Sequence, residues 1–220
     1  AFLPCTVLWW FAARQGPFWK SPALWRYGLI GGVTANLIPS SILLFAIPSI
    51  GSGLAGLMFA LSPVVTATLS LALRVRPPNA PLLVAVAVGF IGAVIVVAGR
   101  SSLSLPEAPQ WLLLALLVPC SLAIGNVYRT AKWPDGATPL QVAVVVNLSV
   151  VPIFVALAIW HGGSFWPVLD HLGLTLAQWL AALLNVGLFF RLQKISGPTY
   201  LSQIGYVAAA ISLAIGALYF

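Results

Sequence analysis

Five side chains that do little except exchange hydrogen bonds, Thr199, Tyr200, Ser202, Gln203 and Tyr206, open an apolar run that reaches Phe220. On a helix, Thr199, Gln203 and Tyr206 follow i, i+4, i+7 spacing and share one face. A hydroxyl, an amide and a phenol on one stripe cannot face hydrocarbon, which offers them no partner. Two chemistries suit such a stripe: recognition of a polar solute in a watered cavity, or hydrogen bonds that glue packed helices. The Gly197-Pro198 break just ahead favours the cavity, because interrupted spans commonly line transporter sites.

Neutral polarity recurs along the chain. Asn36, Ser40 and Ser41, then Ser62, Thr66 and Thr68, then Ser121 and Asn126, then Asn147, and finally Asn185 each fall inside an apolar run. Amides inside hydrocarbon are costly unless paired with each other, with backbone or with a ligand. Spread over several helices, they suggest a shared polar cavity; taken singly, each fits helix glue equally well.

Acid–base chemistry is missing from the same runs. The three acids, Glu107, Asp135 and Asp170, all fall in connecting stretches, and His161 and His171 share the connection that holds Asp170. That His, His, Asp grouping matches no metal-ligand spacing and reads as a solvated loop. Without a carboxylate or histidine in any span, an intramembrane hydrolase lacks its acid/base pair, and a proton path lacks its mid-membrane carboxylate. No enzyme activity and no cofactor is expected. Cys5 and Cys120, far apart in apolar segments, read as small packing residues.

The elements that position these groups follow from composition. Of 220 residues 61% are hydrophobic and 6% charged, against about a quarter charged in soluble domains, so the chain reads as an integral membrane protein. Its net charge of +7 comes as single or paired cations between apolar runs, which is a topology signal and not a nucleic-acid surface. Eight spans are expected, at 1–13, 25–46, 49–73, 79–99, 110–128, 139–160, 174–193 and 198–220, the second and third joined by a tight turn. Alternating the connections puts Arg14, Lys20, Arg26, Arg74, Arg76, Arg129, Lys132, Arg191 and Lys194 on one side and Arg100 alone on the other. The positive-inside rule makes the richer side cytoplasmic. The nine tryptophans fall near span ends, as interfacial belts do. Gly28 with Gly32, and Ala85, Gly89 and Ala93, are spaced for close helix approach. Pro39, Pro63, Pro119 and Pro152 fall within spans and free backbone carbonyls there. With Ala1 in place of Met and a last apolar run still open at Phe220, the chain is expected to be a piece of a longer protein.

Corresponding places in the two halves carry a family likeness: PSIGSGLAGLMFALSPVVTATLSLAL, 48–73, followed by PLLVAVAVGFIGAVIVVAG, 81–99, in the first, and ISGPTYLSQIGYVAAAISLAIGALYF, 195–220, in the second. In them the chain resembles EamA-type members of the drug/metabolite transporter superfamily, most sharply at GPTYLSQIGYV. The resemblance implies an all-α, polytopic bundle of ten helices in two inverted five-helix repeats, of which eight spans are visible here and the first and last helices are missing. The repeats would be 1–99 and 110–220, joined by a loop at 100–109. It further implies a central cavity built from 25–46, 49–73, 174–193 and 198–220. One departure stands out: where the family often has Gly-Glu-Arg at the end of its fourth helix, this chain has Leu73, Arg74, Val75 and Arg76. Any coupling role of that Glu does not carry over.

The expected function is a carrier in the cytoplasmic (inner) membrane moving a small polar or amphipathic metabolite by alternating access, with export as the expected direction. Asn36, Ser40, Ser62, Thr66, Asn185, Thr199, Gln203 and Tyr206 are the expected substrate-binding residues, and an anionic group would sit near Thr199 at a helix start. The expected partners are a small-molecule substrate and the lipid bilayer, with no nucleic acid, and a homodimer stays open. The rival is a non-transporting scaffold or sensor subunit whose polar residues pair helix to helix. A third alternative, a membrane-bound transferase, would need His161, Asp170 and His171 as its catalytic cluster.

Overall fold

The computed structural model describes residues 2–75, 77–98, 109–160, 162, 172–207 and 211. Among the described residues every regular element is helical: α1 (Phe2–Ala13), α2 (Pro22–Gly32), α3 (Ile38–Ala72), α4 (Ala80–Ala98), α5 (Pro109–Ala115), α6 (Leu117–Ala131), α7 (Pro139–Leu148), α8 (Val151–Trp160), α9 (Leu172–Ser196) and α10 (Pro198–Ser202). A 3-10 turn at Phe18–Lys20 precedes α2, and a π-helical turn at Val33–Leu37 links α2 to α3.

Among the described residues five helical stretches are long and apolar enough to cross a membrane: Pro22–Gly51, Leu54–Ala72, Gln110–Ala131, Pro139–Trp160 and Leu172–Ser196. They fall on five of the eight expected spans. The expected span at 79–99 is a shorter apolar helix, and that at 1–13 is the 12-residue α1. The last expected span is described only over its first turns. Exposed apolar residues agree with a lipid environment, because a soluble monomer rarely shows large contiguous apolar patches. Val84, Val88, Ile91 and Ile95 line one exposed stripe of α4, and Leu174, Leu180, Leu184 and Leu188 are all more than half exposed on α9. The chain is a membrane-embedded helical protein.

Local chemistry explains the boundaries. The Ser21 hydroxyl accepts from the Leu24 N–H at 3.3 Å and Pro22 opens α2, where a missing N–H costs nothing. Thr138 and Gln141 form a reciprocal capping box around Pro139 at the start of α7. Asn79 caps α4 by accepting from the Leu82 N–H at 3.1 Å. At the end of α3, Arg74 takes a left-handed φ of 54°. The Val75 N–H then reaches the Ser70 carbonyl at 3.0 Å and the Arg74 N–H the Leu71 carbonyl at 3.2 Å, a Schellman closure normally given to Gly. The tight turn expected over 46–51 is made at Gly51, with φ 75° and ψ 161°. Proline only removes one hydrogen bond, whereas that backbone conformation is open to glycine alone. Pro119 and Pro152 leave their mark as breaks between α5 and α6 and between α7 and α8.

The chain forms two compact units, each drawn from two stretches: 1–33 with 132–195, and 34–131 with 196–220. In the first, α2 packs on α7 through the expected glycine pair. A Cβ on Gly28 would collide with the Val145 side chain and meet its carbonyl at 2.9 Å; one on Gly32 would meet the Val146 carbonyl at 2.5 Å. Val142 to Val146 are wholly buried there. In the second, Leu43, Ala46 and Ile50 pack with Ala55, Met58, Ala115 and Val118, and Gly125 lets α6 close on the π turn, where a Cβ would lie 2.7 Å from that of Ala35. The Ser121 hydroxyl donates to the Thr34 carbonyl at 2.5 Å in that same turn.

Of the expected basic residues, Arg129 departs from its place in a connection: it lies inside α6 and is 2% exposed. Its Nη2 donates to Asn126 Oδ1 at 2.7 Å and its Nε to the Gly125 carbonyl at 3.3 Å, which satisfies in place what water would otherwise supply. Arg14, Lys20, Arg26, Arg74, Lys132 and Arg191 are exposed. Lys194 donates to the Ala137 carbonyl at 3.1 Å. Arg76 and Arg100, and all of 100–109 except Pro109, lie outside the described residues.

Candidate functional site

The backbone breaks at Gly197, φ 85°, and restarts at Pro198, which opens α10. After Gln203 a further helical turn carries Tyr206. The expected face is the one turned inward within the second unit: Thr199 is buried, Gln203 and Tyr206 are partly buried, and Tyr200 points away with 53% exposure.

Each member of that face touches a different place. Thr199 Oγ1 lies 3.4 Å from Ser70 Oγ on α3. Gln203 Nε2 donates to the Leu82 carbonyl in the first turn of α4 at 3.4 Å. Tyr206 donates to the Ala60 carbonyl of α3 at 2.7 Å. Its ring covers Gly89 of α4 so closely that a Cβ there would overlap it. Ala60 sits three residues before Pro63, in the turn whose hydrogen bonding the proline ring disturbs. The carbonyl that the missing Pro63 N–H leaves without its helical partner is that of Phe59; the phenol binds the next carbonyl along and ties Tyr206 to α3.

Beneath this face, Ser62, Thr66 and Ser70 recur every fourth residue along the Leu54–Ala72 limb of α3, and all three are buried. Thr66 Oγ1 is enclosed and has no hydrogen-bond partner among the described residues. Buried polar groups are paired with few exceptions, so this one calls for an explanation.

The structure thus brings Ser62, Thr66, Thr199, Gln203 and Tyr206 into one unit around α3, α4 and α10. Asn36 sits partly buried in the π turn of the same unit, and Ser40 is exposed. Asn185 belongs to the other unit, exposed on α9. Sequence reasoning passed over Ser70, although it continues the Ser62–Thr66 spacing by one more turn. It also missed Gly89 as the seat of the Tyr206 ring and the buried Gln193 of α9.

Elsewhere, in the first unit, the loops at Gly16–Ser21 and Pro134–Ala137 with Leu24 and Gln141 border an open cleft of about 310 Å³ that carries the exposed Asp135. His161, Asp170 and His171, and with them the transferase alternative, lie outside the described residues, as does Glu107. Among the described residues no three His, Cys, Asp or Glu gather as a metal site would require. No protein-family model and no curated protein matches the chain.

Proposed function

We propose that this chain is a membrane carrier for a small polar or amphipathic solute, with the face of Thr199, Gln203 and Tyr206 over Ser62 and Thr66 as its solute-binding surface. The observation that carries the reading is the length of the hydrogen bonds there. Two of the three contacts made by that face stand at 3.4 Å, at or beyond the far end of ordinary hydrogen-bond geometry. Polar groups held this loosely lose little when they exchange their partner for a solute. The broken backbone at Gly197 and the proline at position 63 flank the same groups, and interrupted helices are where membrane carriers place their sites. The EamA-type resemblance points the same way. On this reading the basic loops face the cytoplasm, and the solute leaves the cell by alternating access in the cytoplasmic membrane.

The scaffold reading keeps one observation of its own. Tyr206 to Ala60 at 2.7 Å is a strong helix-to-helix contact, of the kind that glues a static bundle. One experiment separates the two: untargeted mass spectrometry of the growth medium from cells expressing the protein, beside Gln203→Leu and Thr199→Val shown to reach the membrane. A solute enriched outside only with the wild type supports the carrier. Identical media for all three, together with identical uptake of solutes supplied outside, support the scaffold.

A further inference from the structure

Where α1, the 3-10 turn and α2 meet, aromatic rings gather into one cluster. The Trp9 ring of α1 stands edge-on to Phe18 at 4.9 Å, stacks on Trp19 at 6.2 Å and lies 6.3 Å from Trp25 of α2, centroid to centroid. Trp25 Nε1 donates to the Trp19 carbonyl at 3.1 Å, which holds the 3-10 turn against the first turn of α2. Phe18 is buried beneath, whereas Trp10, Phe11 and Trp19 are 52%, 48% and 41% exposed. Tryptophan, with an apolar body and a polar edge, settles where hydrocarbon meets headgroups. On a membrane-embedded chain this collar therefore sits at headgroup depth.

Cations flank the rings. Lys20 follows Trp19, Arg26 follows Trp25, and the Arg14 guanidinium lies 3.6 Å over the Trp10 ring. All three are exposed. Stacking occupies the flat face of a guanidinium and leaves its N–H edge, which matches two phosphate oxygens. Acids are scarce here: none precedes Glu107 in the chain. Asp135, the one acid among the described residues of this unit, borders the cleft beside the collar, so three positive charges meet one negative. Charge complementarity calls for an anion, and the exposed rings beside the cations call for an occupant with an apolar part. An anionic phospholipid joins both in one molecule. A nucleic acid or a free phosphate lacks the second.

We propose that Arg14, Lys20 and Arg26, with the exposed Trp10 and Trp19, form a headgroup site for an anionic phospholipid on the collar between α1 and α2. Such a site requires that the chain lie in a membrane and is indifferent to whether it carries a solute.

The test is thermal unfolding of the purified protein in dodecyl maltoside at low salt, titrated with phosphatidylglycerol or with phosphatidylcholine of the same acyl chains. A ligand that binds only the folded state raises the melting temperature with concentration. Wild type is expected to gain several degrees, saturably, at far lower phosphatidylglycerol than phosphatidylcholine, and to lose that preference as salt is added. Each Lys or Arg beside a lipid headgroup contributes about fivefold. Arg14→Gln with Lys20→Gln should thus weaken the apparent affinity for phosphatidylglycerol by about 25-fold, while Arg14→Lys with Lys20→Arg, which keeps both charges, should retain most of it. Arg74→Gln, which removes an exposed cation of the other unit, is the control and should respond like wild type. Equal shifts from the two lipids, or an undiminished preference in the double glutamine variant, overturn the site. A shift of the same size from glycerol phosphate or inorganic phosphate overturns the lipid as its occupant.

Discussion

The Tyr206 hydroxyl reaches the Ala60 carbonyl at 2.7 Å across 146 positions of chain, and it does so three residues before Pro63. The phenol adds a side-chain donor to that carbonyl and ties together two helical stretches far apart in sequence. Tyr206→Phe removes only that hydroxyl. The expected loss is about 0.5–1.5 kcal/mol, read as a lower midpoint in denaturant unfolding, with insertion preserved. A midpoint equal to wild type would mean that the carbonyl finds another donor.

The same ring sits on Gly89, where a Cβ has no room. Gly89→Ala should therefore cost about 1–3 kcal/mol, as overpacking does. Coupling is the sharper readout. In a Tyr206→Leu background the alanine should cost much less, and a double-mutant cycle measures the difference. Additive losses would place the strain somewhere other than the ring.

Arg129 donates through two different nitrogens, to Asn126 Oδ1 and to the Gly125 carbonyl, from a nearly closed position. Lysine carries the charge but not the fork. Arg129→Lys is accordingly expected to destabilise by about 1.5–3 kcal/mol, the range for hydrogen bonds to charged groups. A variant as stable as wild type in thermal unfolding would show that charge alone suffices.

Gly32 of α2 faces the Val146 carbonyl at a distance no Cβ tolerates, whereas Gly187 of α9 has nothing among the described residues within 4 Å of its Cβ position. Gly32→Ala should lower expression and melting temperature sharply; Gly187→Ala should leave both at the wild-type level or slightly higher. The pair, compared by fluorescence size-exclusion of detergent extracts, tests whether α2 and α7 meet through glycine.

Much of this was legible because hydropathy and punctuation act locally. The span start at 139 and the Gly28/Gly32 contact face follow from short-range chemistry, and the structure has them there, whereas the helix expected from 25 opens three residues earlier, at Pro22. The Thr199–Gln203–Tyr206 face follows from helical periodicity and turns inward as expected. What stayed hidden depends on long-range contacts. Ala60 and Leu82 are acceptors through their carbonyls, which have no residue signature at all. Arg129 reads as a loop cation until Asn126 and the Gly125 carbonyl are seen to receive it. Within the tight turn at 46–51 the bend falls on Gly51, because a glycine can adopt the positive φ that closes one helix and opens the next. Nor does any pattern of letters show that the Thr66 hydroxyl has no partner among the described residues.

The π turn at Val33–Leu37 has a bearing on how this span can change in length. Such a turn takes up one residue more than a regular helix would, so the helix beyond it keeps its faces despite the extra residue. Removing a single residue from that turn would let the ladder close into ordinary α-helix, with Pro39 to Ile50 keeping their present sides. The same deletion made a few residues later would swing everything downstream by about 100° and carry Leu43 and Ala46 out of their core. One short segment of this membrane span is thus its natural point for gaining or losing a residue.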